Sequence, residues 1–131
     1  MGDRSYGGFD VLKKDEAKAK EIIEPDDVDD HEIDRGVEAI RMEVTESTGG
    51  GYEAADELRE AGIPFWWDWE ACLGAYEAGQ IVFIPGDGEA DAFPEGPHAK
   101  VNSDGEVDEE SLVKAREFIR LRDKFIALAR G

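Results

Sequence analysis

The side chains suited to chemistry near neutral pH are few in this sequence: two histidines, His31 and His98, and one cysteine, Cys72. On a helix, Asp27, His31 and Asp34 would share a face and could hold a divalent ion through one nitrogen and two oxygens. Because no second histidine accompanies them, a solvated acidic helix start is the simpler interpretation. We therefore predict no metal site.

The sequence also contains no clear candidate residue for nucleophilic or acid–base catalysis. Cys72 is the only cysteine, which excludes an intramolecular disulfide and a thiolate-rich metal site. It falls on the apolar side of a predicted helix, where a buried and inert thiol is expected. No serine lies in a Gly-x-Ser-x-Gly turn, and the carboxylates are too numerous for any one pair to indicate a reaction. The sequence predicts no catalytic residue, no cofactor and a protein that is not an enzyme.

Two further patterns are incomplete ligand-binding motifs. The run Gly49–Gly51 ahead of a helix could present backbone amides to a phosphate, but no lysine follows it and its neighbours are acidic. Residues Asn102–Glu106 resemble the middle of an EF-hand loop. The first and twelfth positions of that loop would be Lys100 and Ser111, where calcium needs carboxylates. We interpret the first pattern as a hinge and the second as a turn.

The composition indicates a folded and strongly acidic protein. The 131 residues include 33 acidic and 15 basic ones, for a net charge of −18, and 40% are apolar, which is enough for one modest core. The acids are spread along most of the chain, which favours a halophilic protein whose charge repulsion is screened in a high-salt cytoplasm. An ordinary acidic protein is the alternative. The chain lacks a bilayer-spanning apolar run and a signal-peptide core, so we expect neither membrane association nor signal-directed export.

The apolar periodicity predicts a mainly α fold with four to five helices and a small β element, that is, an α-rich α+β single domain. We expect a flexible N-terminal arm at residues 1–9 and one acidic helical domain at 10–131. The predicted elements of that domain are helices at 10–24, 26–44, 52–61 and 69–78, a strand near 81–84, an irregular loop at 85–98, a hairpin near 99–107 and a basic helix at 109–129.

Aromatic residues mark two candidate contact regions. Residues 63–86 hold six of the twelve aromatic side chains, including all three tryptophans, and predict either the centre of the core or the main contact with a partner. Trp66 and Trp67 are the interaction candidates there. Tyr6 and Phe9 could order the N-terminal arm against a neighbouring subunit.

The last segment reverses the charge of the chain. From position 111 onward there are six cations and two acids, and on a helix Arg116, Arg120 and Lys124 line up at i, i+4 and i+8. The acidic remainder of the chain opposes binding to nucleic acid at long range and leaves only a narrow, local contact through this stripe as an alternative. We expect this stripe to contact acidic protein instead, either the body of this chain or a neighbouring copy.

These features predict a non-enzymatic structural or interaction subunit of a homo-oligomeric assembly in a high-salt setting, within a halophile's cytoplasm or a virion assembled there. In general organisation the chain resembles ring-forming head–tail connectors and accessory components of tailed virus particles. The alternatives are a small monomeric acidic binding module or inhibitor, and a small metal-dependent enzyme that uses a carboxylate or His31. The predicted interaction residues are Arg116, Arg120, Lys124, Trp66, Trp67, Tyr6 and Phe9.

Overall fold

The computed structural model describes residues 4–48, 51–71 and 77–131, with side chains described at 6–45, 51–71 and 77–131. These residues form six strands and three helices. In chain order the elements are β1 (Arg4–Val11), a 3-10 turn (Lys13–Asp15), α1 (Glu16–Ile23), β2 (Asp27–Asp34), β3 (Val37–Thr48), α2 (Tyr52–Ala61), β4 (Phe65–Trp69), β5 (Gly79–Ile84), β6 (Gly88–Ala92) and α3 (Glu109–Arg130). The strands make one sheet in the order β2-β3-β1-β4-β5-β6, and each neighbouring pair is antiparallel.

The predicted mainly α fold is wrong, because strands and helices contribute about equally. The largest error is the helix at 26–44, which is the β2–β3 hairpin. Its apolar residues have helical spacings, but Ile40, Met42 and Val44 alternate along β3 and point to one face of the sheet. Gly36 has a φ of +72° in the tight turn between these strands, so it makes the turn rather than weakening a helix.

Four other predicted segments also differ. Residues 4–9, expected in an arm, begin β1, which lies between β3 and β4. The helix at 10–24 begins only at Glu16, and the loop at 85–98 contains β6. In the segment 69–78, Trp69 ends β4, while residues 72–76, including Cys72, lie outside the described residues.

Other local predictions are confirmed. Helix α2 ends before Gly62, whose left-handed conformation (φ +70°) suits a residue without a side chain. The strand near 81–84 lies within β5, and the basic helix is α3. The hairpin predicted near 99–107 does not form two strands, and an isolated antiparallel bridge between Val101 and Val107 stands in its place.

Face one of the sheet, which is covered by α1 and α2, carries the larger apolar core. Alternate residues of the central strands point to it, and Phe9 packs on Trp67 and Phe65 with ring centroids 5.6 and 5.7 Å apart. The buried residues of this core are Phe9, Val11, Ala19, Ile23, Ile40, Met42, Val44, Ala55, Leu58, Ile63, Phe65 and Trp67.

Face two is the opposite side of the sheet, and α3 packs on it over β5, β6 and part of β3. Trp66 of β4 meets the rings of Phe118 and Phe125 edge-on, with centroids 6.5 and 6.3 Å apart. The buried residues of this second core are Leu12, Ala39, Val82, Ile84, Phe118, Leu121 and Phe125. Beside this core, the middle of β1, β2, β3 and β4 presents polar side chains to the same face.

Candidate functional site

An open cavity of about 580 Å³ lies on the polar part of face two, and we call it the face-two cavity. Its walls come from β2 on one side and from the start of β5 and the segment after β6 on the other. The lining residues are Asp10, His31, Glu32, Ile33, Trp66, Asp68, Trp69, Glu70, Ala71, Ala78, Gly79, Gln80 and Pro94. An open concave site with convergent polar groups is the first place to look for a ligand.

A buried carboxylate and a half-exposed imidazole form one side of the cavity. Asp10 is only 3% exposed, and its Oδ1 lies 2.8 Å from Nδ1 of His31. Strand β3 lies between β2, which carries His31, and β1, which carries Asp10. His31 pairs with Ala39 of β3, and the small side chain of Ala39 leaves room for the imidazole to reach Asp10. An ionised Asp10 fixes the Nδ1–H tautomer, which leaves Nε2 of neutral His31 as a hydrogen-bond acceptor.

Arg41 joins Asp10 to a second carboxylate. Its guanidinium donates two hydrogen bonds to Asp68, at 2.6 and 2.9 Å, and its Nη1 lies 3.5 Å from Asp10 Oδ2. Gly8 pairs with Asp68 and lies beneath the guanidinium of Arg41. A Cβ at this position would lie only 2.2 Å from Arg41 Nη2, so the absence of a side chain makes room for the guanidinium. A two-pronged arginine–carboxylate contact of this kind holds both partners in a defined orientation.

The ionisation of these groups follows from their surroundings. Burial raises the pKa of Asp10 above its ordinary value, although the charge of Arg41 and the hydrogen bond with His31 act in the opposite direction. For Arg41, burial alone would lower the pKa, but the hydrogen bonds and charge of Asp68 outweigh it, and the pKa is raised. Arg41 is therefore a permanent cation whose charge is matched by carboxylates on two sides.

The aromatic wall is also held by hydrogen bonds. The indole nitrogen of Trp66 donates to Gln80 Oε1 at 2.8 Å, and Gln80 Nε2 donates to the carbonyl of Phe93 at 2.8 Å. Gln80 is 9% exposed, so these bonds satisfy a nearly buried amide. They fix the indole of Trp66 and the segment beginning at Phe93 relative to β5.

The polar residues of this site were missed in the sequence, apart from His31. Asp10, Arg41 and Asp68 are each flanked on both sides by large apolar residues, as in Phe9-Asp10-Val11. In a strand this alternation places the charged side chain on the face opposite the apolar core. The alternation is therefore the sequence signal that indicates these three residues as candidates. The helical spacing of nearby apolar residues obscures it, because that spacing predicts a helix start at Asp10, a helix interior at Arg41 and a helix cap at Asp68.

The metal hypothesis at His31 rested on a helix that does not form. On β2, the imidazole of His31 bonds to Asp10, and Asp34 instead faces Arg130 at 3.5 Å. Among the described residues, no three His, Cys, Asp or Glu side chains are grouped closely enough to hold a metal ion.

Other chemical candidates lie outside the cavity. His98 stacks on Phe93 with centroids 4.5 Å apart. The side chain of Asn102 accepts hydrogen bonds from the amides of Asp104 and Glu106, each at 3.0 Å, and so shapes a turn.

The predicted interaction residues are distributed over several surfaces. Trp66 lines the cavity, Trp67 is buried in the core of face one, and Phe9 is fully buried. Tyr6 is 53% exposed, and Arg116 on α3 is also exposed. Of the predicted interaction residues, Trp66 is therefore the one that lines the cavity.

The basic stripe of α3 makes contacts within this chain. Arg120 lies 3.4 Å from Asp87 in the turn between β5 and β6, and Lys124 contacts the other oxygen of the same carboxylate. Arg120 also donates to Glu117 at 2.6 Å. The contacts with Asp87 are made to the chain's own acidic body, which is one of the two partners that the charge pattern predicts, whereas Glu117 belongs to α3 itself.

Comparisons with family models, with curated proteins and with solved structures give no match to this chain. Among the described residues, none of the helices combines the length and apolar character that a bilayer crossing requires. The site must therefore be interpreted from its own chemistry.

Proposed function

We propose that this chain is a non-enzymatic binding module that holds a positively charged group, such as a guanidinium or ammonium, in the face-two cavity. The observation that carries the proposal is the preorganised polar wall: Asp10, His31, Arg41 and Asp68 are joined by hydrogen bonds at the edge of an open cavity. Side chains held in this way lose little conformational freedom when a ligand binds.

The charge of the cavity selects a cation. The described residues that line it include four carboxylates, at Asp10, Glu32, Asp68 and Glu70, and neither lysine nor arginine. The nearby cation Arg41 is only 18% exposed and is already shared by Asp10 and Asp68. A positively charged ligand therefore meets a net negative field, and an anion is repelled.

Two rings add directional contacts. The indole of Trp66 is half-buried on the cavity wall, and indole faces attract cations by roughly 0.5–2 kcal/mol, depending on desolvation. When its imidazole is uncharged, His31 offers Nε2 as an acceptor to an N–H donor of the ligand, because Nδ1 bonds to Asp10. Carboxylate, indole and imidazole together suit a guanidinium or ammonium better than a neutral molecule.

The test is a calorimetric titration with Nα-acetylarginine amide, called arginine amide here, and Nα-acetylcitrulline amide, called citrulline amide, serves as a probe of nearly the same shape without a charge. We expect saturable binding of the first probe only. Asp68→Asn should weaken it at least about tenfold, because one charged contact is lost and Arg41 becomes less compensated. The matched control is Asp56→Asn, which removes a carboxylate bonded to Arg59 on α2, outside the cavity lining. Equal affinity for both probes, or equal effects of the two variants, would contradict the proposal.

Acid–base catalysis is a second candidate, and the 2.8 Å contact between Asp10 and His31 favours it. A histidine oriented by a buried carboxylate can act as a general base through its free nitrogen. Hydrolysis of p-nitrophenyl acetate separates the two candidates. A catalytic pair predicts turnover that His31→Gln abolishes and Asp10→Asn lowers, whereas a binding module predicts no turnover above the level of the His31→Gln variant.

Oligomeric assembly and a high-salt setting remain part of the proposal. A cationic side chain of a neighbouring copy would fit the cavity, while the net charge of −18 on each copy opposes the encounter until salt screens it. Repeating the titration at about 0.2 M and about 2 M KCl measures how far screening reduces the attraction, since the Debye length falls from about 7 to about 2 Å.

A further inference from the structure

A second cavity of about 430 Å³ lies beside the first. Both are lined by Trp69, Ala78 and Gly79, so they meet at the end of β4 and the start of β5. The second cavity continues past Phe93 to the first turns of α3, where Ser111 and Lys114 line it. The two cavities are therefore neighbouring parts of one surface depression.

The direction of this depression follows from the sheet order. The first cavity begins at His31 on β2, and the second reaches Ala92 on β6, which are the two edge strands. Six strands about 4.8 Å apart span roughly 24 Å. An extended polypeptide advances about 3.3 Å per residue, so this length corresponds to about seven residues.

The two parts differ in chemistry. The first offers the carboxylates, imidazole and indole described above. The second contains a partly exposed aromatic ring, because Phe93 is 42% exposed. His98 stacks on this ring, and Lys100 Nζ lies 5.8 Å from its centroid. Four carboxylates and two lysines also line this part, so its charge is net negative as well. Its carboxylates are Glu77, Asp91, Asp108 and Glu110.

We propose that the two cavities form one groove for an extended basic peptide of about seven residues, which belongs to a partner protein and places a lysine or arginine in the first cavity and an aromatic side chain against Phe93. The length comes from the sheet, and the residue types come from charge and aromatic complementarity. This inference rests on the proposed function, since it uses the same cation site, and it specifies the partner as a peptide rather than a small cation.

The test uses fluorescence anisotropy with seven-residue Gly/Ser peptides that carry one arginine and one tryptophan near opposite ends, in both orders. We expect one order to bind the full chain about tenfold or more tightly than arginine amide does, because a second contact is added. Phe93→Ala should remove that gain and leave the affinity for arginine amide unchanged. Val101→Ala, which shortens another exposed apolar residue, is the matched control and should leave both affinities unchanged.

The possible failures are distinguishable. If arginine amide binds but neither peptide binds more tightly, or if Phe93→Ala leaves the peptide affinity unchanged, the groove is wrong and the cation site stands. If neither the peptides nor arginine amide bind, both proposals are wrong. Peptide binding that survives Asp68→Asn would place the peptide outside the first cavity and would also overturn the inference.

Discussion

The two faces of the sheet use the same strands for different purposes. On face one, β1 and β4 contribute Phe9, Phe65 and Trp67 to a core sealed by α1 and α2. On face two, the intervening residues of those strands include Asp10 and Asp68, which lie in or beside an open cavity. Because successive side chains of a strand point to opposite faces, each central strand supplies an aromatic core residue and a charged site residue in adjacent positions.

The energetic roles of the faces differ accordingly. Burying an aromatic side chain stabilises the fold by roughly 2–3 kcal/mol. The ion pairs of face two gain little net free energy, because desolvation of the charges offsets much of their attraction. Face one therefore supplies most of the stability, and the polar part of face two is arranged in a way that stability alone does not require.

The largest effect should come from Phe65→Ala on face one. Phe65 is fully buried and its ring contacts Phe9 and Phe83, with centroids 5.7 and 5.4 Å away. We expect the free energy of unfolding to fall by about 3–5 kcal/mol, measured by denaturant titration. The control is Tyr6→Ala at an exposed aromatic, which should cost less than about 0.5 kcal/mol. Similar costs for both variants would contradict the assignment of the core.

A smaller loss should follow from Arg41→Met on face two, because Asp10 would remain buried without its cation. We expect a decrease of about 2–4 kcal/mol in the free energy of unfolding. The combined variant Asp10→Asn/Arg41→Met/Asp68→Asn should recover most of that loss, since all three charges disappear together. If the triple variant is as unstable as Arg41→Met, the network itself stabilises the fold, and the comparison of the two faces fails.

The smallest effect is a change in pH dependence in Asp10→Asn. Burial raises the pKa of Asp10 in the folded state, so the folded protein holds this proton more tightly than the unfolded chain. Its contribution to stability is present below the ordinary aspartate pKa and is lost as pH rises through the raised folded pKa. The stability of Asp10→Asn relative to the original chain should therefore increase over that rise in pH, as measured by urea unfolding at a series of pH values. A difference that falls or stays constant would show that the pKa of Asp10 is not raised.

Local signals in the sequence were sufficient for some elements. Helix α2 and its terminating Gly62, and the amphipathic helix α3, depend on nearby residues and were predicted correctly. The β2–β3 hairpin was missed, because Ile33, Val37 and Ile40 fit a helix by spacing although Gly36 makes a turn between them. Short apolar patterns do not distinguish a helix from a strand without knowledge of what packs against them.

The site depends on contacts that no local pattern encodes. His31 meets Asp10 across 21 positions, and Arg41 meets Asp68 across 27. Only the antiparallel order of the sheet brings these strands together, and the sequence does not show which strands are neighbours. Trp66 was identified as an interaction candidate from its place in an aromatic-rich stretch, but its separation from Trp67 onto the other face required β4 to be recognised as a strand.

Two of the three tryptophans provide the most direct test of the account, because Trp66 lines the face-two cavity and Trp67 is buried in face one. The measurement is a titration with arginine amide followed by nitrogen–proton NMR of the indole signals, assigned with Trp66→Phe and Trp67→Phe. We predict a saturable shift of the Trp66 signal, which Asp68→Asn weakens and citrulline amide does not reproduce, while the Trp67 signal stays in place. No saturable shift of Trp66, or an equal shift of both signals, would contradict a cation site on face two.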